Sequence, residues 1–187
     1  IGGGQGNKIC ECRNFSSILG GCENIIECGD NTGPDYSGAT IVGGKSNKIC
    51  SYGDSFIGGG VCNTVSNGYN GVIVGGMCNT VCDDSSFIGA GSGNSNSSKY
   101  STIIGGCCNC VKHCHTHILG SDITTCVVCT THVNNLLVGC TVCILPRDPI
   151  GTGATGMLAV CDKGTGVADE LYFHTGLRWM KVCLITP

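Results

Sequence analysis

A nine-residue phrase that restarts at a nearly fixed interval constrains this chain more than anything else in it. From Ile41 the sequence reads IVGGKSNKI, IGGGVCNTV, IVGGMCNTV, IGAGSGNSN and IIGGCCNCV. The restarts fall at Ile41, Ile57, Ile73, Ile88 and Ile103, in steps of 16, 16, 15 and 15 residues. Two earlier copies open at Ile1 (IGGGQGNKI) and Ile18 (ILGGCENII). Short-period self-similarity marks an architecture of stacked units, each of which buries its faces only against its neighbours.

The slots within the repeat carry a physical reading. With the opening Ile at zero, glycine stands at plus three in Gly4, Gly21, Gly44, Gly60, Gly76, Gly91 and Gly106. Asparagine stands at plus six in Asn7, Asn24, Asn47, Asn63, Asn79, Asn94 and Asn109. A β-branched residue follows at plus eight in Ile9, Ile26, Ile49, Val65, Val81 and Val111, with Asn96 the exception. Small residues precede the Ile by two places, as in Ser16, Ala39, Ser55, Gly71, Ser86 and Ser101. β-Branched side chains suit short strands. Glycine permits a positive φ or a close backbone approach. Asparagine tolerates the left-handed region, so it marks a second corner, and stacked Asn side chains can form ladders. The unit is strand, Gly corner, Asn corner, strand, one rung of an all-β roll rising about 4.8 Å per rung. Its core is one Ile and one Val deep, with a small-residue face left over. Homo-oligomerisation around the solenoid axis would bury that face.

Composition agrees with a thin core. The chain has 187 residues, with 32 Gly, 12% charged and 5% aromatic residues, too few large side chains for a broad globular interior. A net charge of −3 without a basic stripe argues against nucleic acid as a partner. No long apolar run marks a transmembrane helix, and no signal-peptide pattern opens the chain. Because the chain begins inside a repeat, it reads as a fragment of a longer protein. The 18 cysteines sit largely within the repeat, where free Cys can fill small buried slots as a hydrophobe. Cys62 and Cys78 share the plus-five slot on consecutive rungs, a separation that would admit a disulfide.

The SxIxGGxxNxI repeats resemble the head repeats of trimeric autotransporter adhesins and similar repeats in phage and viral tail fibres. The resemblance covers residues 1–145 and implies a left-handed parallel β-roll (β-solenoid) with rungs of about 15–16 residues, three chains side by side in a fibre. The cysteine load departs from that family's usual Ser, Ala or Thr.

The pattern frays from about residue 112. Ile118 keeps the period, but counting from it puts Ser121 at plus three and Thr124 at plus six, and Leu137-Val138-Gly139 reads as a last degenerate rung. Two metal-ligand arrangements lie here. His115 and His117 would share one face of a strand. Three copies on a trimer axis would then give six nitrogens for iron or another divalent transition metal. This arrangement resembles the HxH motif of phage fibre and spike tips. Cys126, Cys129, Cys140 and Cys143 form paired CxxC units with the look of a tetrahedral zinc site. Buried thiols are the plainer reading, as surface histidines are for the HxH pair. Between Ile18 and Ile41 an insertion, GDNTGPDYSG, reads as a surface loop. Residues 146–187 read as a linker followed by a small antiparallel β unit, with strands at 157–162, 170–174 and 179–185, closing the rod against exposed strand edges.

No paired carboxylates, nucleophile elbow or phosphate-cradling loop leading into a helix is present, so the sequence does not read as an enzyme. Asn14-Phe15-Ser16 and Asn96-Ser97-Ser98 match the glycosylation pattern. The expected function is structural and adhesive: a segment of a homotrimeric virion fibre contributing to host attachment through a surface glycan or protein receptor. The alternatives are a cellular trimeric adhesin, which would place the chain at an extracellular cell surface, and a cysteine-rich metal-binding or purely structural filament. An ice-binding solenoid would need a longer threonine ladder than Thr64 and Thr80 supply.

Overall fold

A computed structural model describes residues 1–10, 15–27, 38–134, 158–161, 170–174 and 179–181. The described residues are all-β. Residues 1–136 form one compact unit and residues 137–187 another.

The first unit is a parallel β-solenoid. Odd strands β1 (Lys8–Ile9), β3 (Ile25–Ile26), β5 (Lys48–Cys50), β7 (Thr64–Ser66), β9 (Thr80–Val81), β11 (Ser95–Asn96) and β13 (Cys110–Val111) stack in chain order into one sheet. The intervening strands β2 (Ser17–Ile18), β4 (Thr40–Ile41), β6 (Phe56–Ile57), β8 (Val72–Ile73), β10 (Phe87–Ile88), β12 (Thr102–Ile103), β14 (His117–Leu119) and β15 (Thr131–Val133) stack into a second. Register follows the repeat: Ile41 pairs with Ile57, Ile57 with Ile73, and Val65 with Val81. A third column of single bridges runs through Gln5, Cys22, Lys45, Val61, Met77, Ser92 and Cys107.

The core is as thin as the repeat predicts. Its fully buried members are the zero-slot Ile column from Ile18 to Ile118, the plus-eight column of Ile26, Ile49, Val65, Val81 and Val111, and Ala39. The small residues two places before the Ile also point inward, because the third side of each rung has little room. A Cβ on Gly71 would lie 2.6 Å from Val65 Cγ1, and Ser55, Ser86, Ser101 and Thr116 are buried there. The expected small-residue face is therefore internal.

The corners differ from the expectation in one respect. The left-handed residue is the one before the asparagine: Glu23, Ser46, Cys62, Cys78 and Cys108 have φ of 54–57°. The asparagine side chain turns inward and builds the ladder that stacked asparagines allow. Asn79 Nδ2 donates to Asn63 Oδ1 (3.2 Å), to Gly75 O (3.1 Å) and to Gly91 O (2.9 Å). Its Oδ1 accepts the backbone N–H (3.1 Å) and the Nδ2 (3.0 Å) of Asn94. Burying an amide requires such partners, and the stack supplies them at every rung from Asn24 to Asn109. Glycine at plus three is needed twice over. At Gly60 φ is +91°, and a Cβ would sit 2.1 Å from Gly76 O.

The fraying region keeps the fold by shortening a rung. Gly120 stands below Gly106, since Asn109 Nδ2 donates to Gly120 O (2.7 Å). Asn109 Oδ1 accepts the Ile123 N–H (3.1 Å), so Ile123 holds the asparagine place, and Thr125 is buried in the plus-eight column. Ser121 and Thr124 therefore do not occupy the plus-three and plus-six slots. The next rung arrives at His132, paired with Ile118. Leu137-Val138-Gly139 and residues 29–37 of the insertion lie outside the described residues.

In the second unit, β16 (Leu158–Cys161), β17 (Glu170–His174) and β18 (Trp179–Lys181) pair antiparallel, with Val160 opposite Leu171 and Phe173 opposite Met180.

Candidate functional site: the two faces of the solenoid

Strand alternation sends the residues flanking each core Ile outward, and the two sheets dress that outer surface differently. On the second sheet, the slot after the Ile carries Leu19, Val42, Val74, Ile104 and Leu119, 40–56% exposed. Where that slot is glycine, the slot before the Ile is phenylalanine, as in Phe56-Ile57-Gly58 and Phe87-Ile88-Gly89. The ring then leans over the gap: a Cβ on Gly58 or Gly89 would lie 3.3 Å from Cε1 of Phe56 or Phe87. Val72 occupies the same column between them. One face is thus an apolar band running along the rungs, with Val61 and Met77 exposed on the adjoining turn.

The first sheet is polar outside. Lys8, Lys48, Thr64, Thr80 and Ser95 occupy its outward slot before the core residue, with Ile25 and Cys110 in the other two places. Lys48 pairs with Glu27; that hydrogen bond holds the Glu27 carboxyl below and the Lys48 ammonium above their ordinary values. At another corner Lys99 Nζ lies 2.7 Å from Asp84 Oδ2 and 3.9 Å from Asp83 Oδ1. The Lys99 bond is the first cause that lowers Asp84, and the Tyr69 backbone N–H adds to it.

The residues singled out from sequence are placed as follows. His117 stands on β14 in the outward column of the apolar face, paired with Thr102. His115 precedes the strand at a left-handed corner (φ 55°), stacked on Tyr100 with ring centroids 5.2 Å apart. Both are exposed on either side of buried Thr116. Cys126 and Cys129 are exposed free thiols; Cys140 and Cys143 lie outside the described residues. Cys62 and Cys78 stack in one slot with free thiols. None of the described cysteines from Cys10 to Cys129 is buried, so the expectation of cysteines filling core slots is corrected for the solenoid: Ile, Val, Asn and Ser fill them. Asn96 is fully buried, which removes it as a glycosylation acceptor; Asn14 lies outside the described residues.

Sequence reasoning passed over two features. His132, half-buried, takes the core Ile place, with its Nε2 2.8 Å from Thr130 Oγ1; the 14-residue step from Ile118 and the β-branched THV were the available signal. The other is a cluster in which Cys107, Cys108 and Asp122 bring their ligand atoms within 4.8 Å of one another.

No protein-family model, curated protein or solved structure matches the chain. Among the described residues no helix is long and apolar enough to cross a membrane.

Proposed function

We propose that this chain is a shaft segment of a homotrimeric virion fibre of the tail-fibre kind, serving attachment to a host surface. The observation that carries the proposal is the asymmetry between the two sheets. A parallel sheet is ordinarily covered on both faces, yet here Leu19, Val42, Val74, Ile104 and Leu119 stand 40–56% exposed in a single file. Exposed apolar surface of this extent marks an interaction site. Because Phe56 and Phe87 carry the band across the rungs of Gly58 and Gly89, three copies related by rotation about an axis parallel to the rod would bury it along its length. The charged first sheet would then face solvent, and handedness would follow the left-handed β-roll of the proteins that the repeat resembles.

A shaft of this kind acts mechanically. It holds three tips or side loops at fixed separation, so that weak single contacts to a glycan or protein receptor combine into avidity. If the apolar face lies on the axis, His117 is the histidine in its column, so an axial ion would draw first on three copies of that residue. His115 would have to leave its stack on Tyr100. A cellular trimeric adhesin uses the same shaft, and the asymmetry between the sheets does not separate it from a virion fibre.

Two substitutions test the face directly. Val74→Lys and Ile104→Lys should split the assembly into monomers at micromolar concentration, whereas Thr80→Lys on the polar sheet should leave it intact. Equal behaviour of the three variants would remove the proposal's basis. Binding of the intact fibre to host-cell surfaces or a glycan array, lost on dissociation, tests the attachment role; an intact trimer that binds neither would leave a passive filament.

A further inference from the structure

We infer that Cys107, Cys108 and Asp122 form a binding site for a thiophilic divalent metal ion of the zinc class. Adjacent side chains on a strand point to opposite faces, so a CysCys pair in a strand cannot close on one ion. Here Cys108 is the left-handed corner residue, φ 55°, and the reversal of the chain turns both thiols to one side. Asp122 then arrives beneath them because the following rung is one residue short. That shortening puts Asp122, with φ 59°, in the same corner slot as Cys108, one rung further along. With the regular rung length, β-branched Ile123 would hold that corner.

The set matches the ion in kind and distance. Two thiolates and a carboxylate are three of the ligands zinc takes, and three protein ligands leave a fourth position for water. Soft sulfur ligands select zinc or cadmium over magnesium and calcium. In a tetrahedral site with Zn–S of about 2.3 Å, ligand atoms lie about 3.8 Å apart. The three atoms here are already within 4.8 Å, so side-chain rotation of about 1 Å closes the set with the backbone unmoved. The backbone is held by the ladder. Cys107 N–H donates to Ser121 Oγ (3.1 Å), Cys108 N–H to Ser92 O (3.0 Å) and Asp122 N–H to Cys107 O (2.8 Å). Gly93, in the same slot one rung back, puts no side chain over the Cys108 sulfur; a Cβ there would approach it to 3.9 Å. The other stacked thiols of this slot, Cys62 and Cys78, have Val61 and Met77 beside them and no carboxylate below.

With 18 cysteines in the chain, the test has to be resolved by residue. The full chain, kept reduced with a phosphine, is titrated with Zn²⁺ or Cd²⁺ and pulse-labelled with a maleimide, and each cysteine's labelling is read by peptide mass spectrometry. Cys107 and Cys108 should lose labelling together, at least tenfold, by one equivalent of metal, while Cys62 and Cys78 keep theirs. Asp122→Asn should raise the metal concentration needed about tenfold with an unchanged circular dichroism spectrum. Cys108→Ser should abolish protection of Cys107. The inference is overturned if Cys107 and Cys108 label equally with and without metal, if all exposed thiols are protected in step, or if Asp122→Asn leaves the titration where it was. Isolation of a Cys107–Cys108 disulfide that resists the phosphine would overturn it as well.

Discussion

Replacing Asn79 by alanine removes the middle of the asparagine ladder and asks how much the stack depends on it. The side chain donates to Asn63 Oδ1, Gly75 O and Gly91 O through two hydrogens, and accepts from Asn94 N–H and Nδ2. Some partners keep a second contact: Asn63 Oδ1 retains the residue-79 backbone N–H, Gly91 O retains Met77 N–H, and Asn94 Nδ2 retains Ala90 O and Gly106 O. The Asn94 backbone N–H loses its bond at a buried site. Two donated and two accepted bonds at about 1 kcal/mol each, plus about 1–3 kcal/mol for the orphaned N–H, give a loss of roughly 5–7 kcal/mol. Denaturant titration at fixed protein concentration measures it, and hydrogen exchange at Asn94 should accelerate beyond the global change. Asn7 supplies the comparison: it ends the column, its donations to Gly3 O and Gly21 O are solvent-exposed and replaceable by water, and only its accepted bonds from Asn24 N–H (3.0 Å) and Nδ2 (3.1 Å) are lost without replacement, so Asn7→Ala should cost about 2 kcal/mol less than Asn79→Ala. A cost for Asn79→Ala below about 2 kcal/mol would refute the ladder as a source of stability.

Other substitutions follow from the same geometry. Gly76→Ala, at φ +94° with a Cβ 2.2 Å from Gly91 O, should prevent stable folding, while Gly75→Ala, with nothing within 4 Å, should change the midpoint little; both read out by thermal melts. Asn96→Val should change stability by under about 1 kcal/mol, because it removes an Oδ1 buried without a partner between Val81 and Val111 together with the Nδ2 donations to Ser101 O (2.9 Å) and Phe87 O (3.3 Å). The Glu27–Lys48 pair gives a pH signature of known sign. Glu27 is held below its ordinary 4.5, so its contribution is complete above that value and is lost as pH falls through the lowered one. Lys48 is held above 10.5, so its contribution is complete below that value and lost as pH climbs beyond. At 34–44% side-chain exposure the pair contributes under about 1 kcal/mol, and Lys48→Met should remove this part of the acid limb.

The rungs were legible because the period and β-branching are local properties: Ile41, Ile57 and Ile73 had to stack once the spacing repeated. The Gly corners were legible for the same reason. What the sequence concealed was orientation. Asparagine is at home both in a left-handed corner and in an inward ladder, and only the neighbouring rung's carbonyls decide between them. The small residues before each Ile are compatible with an exposed face or a tight interior, and the Val65 methyl beside Gly71 settles it. The shortened rung was hidden because Ile118 keeps perfect spacing while the deletion falls after it, moving Gly120 and Ile123 into slots that counting gave to Ser121 and Thr124. The Cys107–Cys108–Asp122 cluster depends on that shift, so motif spacing pointed to the histidines and CxxC pairs instead.

Sedimentation equilibrium of the full chain across micromolar concentrations tests the central claim most directly. The chain has a mass of 19.1 kDa. The trimeric shaft predicts one species at three times that mass, with no concentration dependence. A stable species at the single-chain mass, with the apolar band open to solvent, would contradict it.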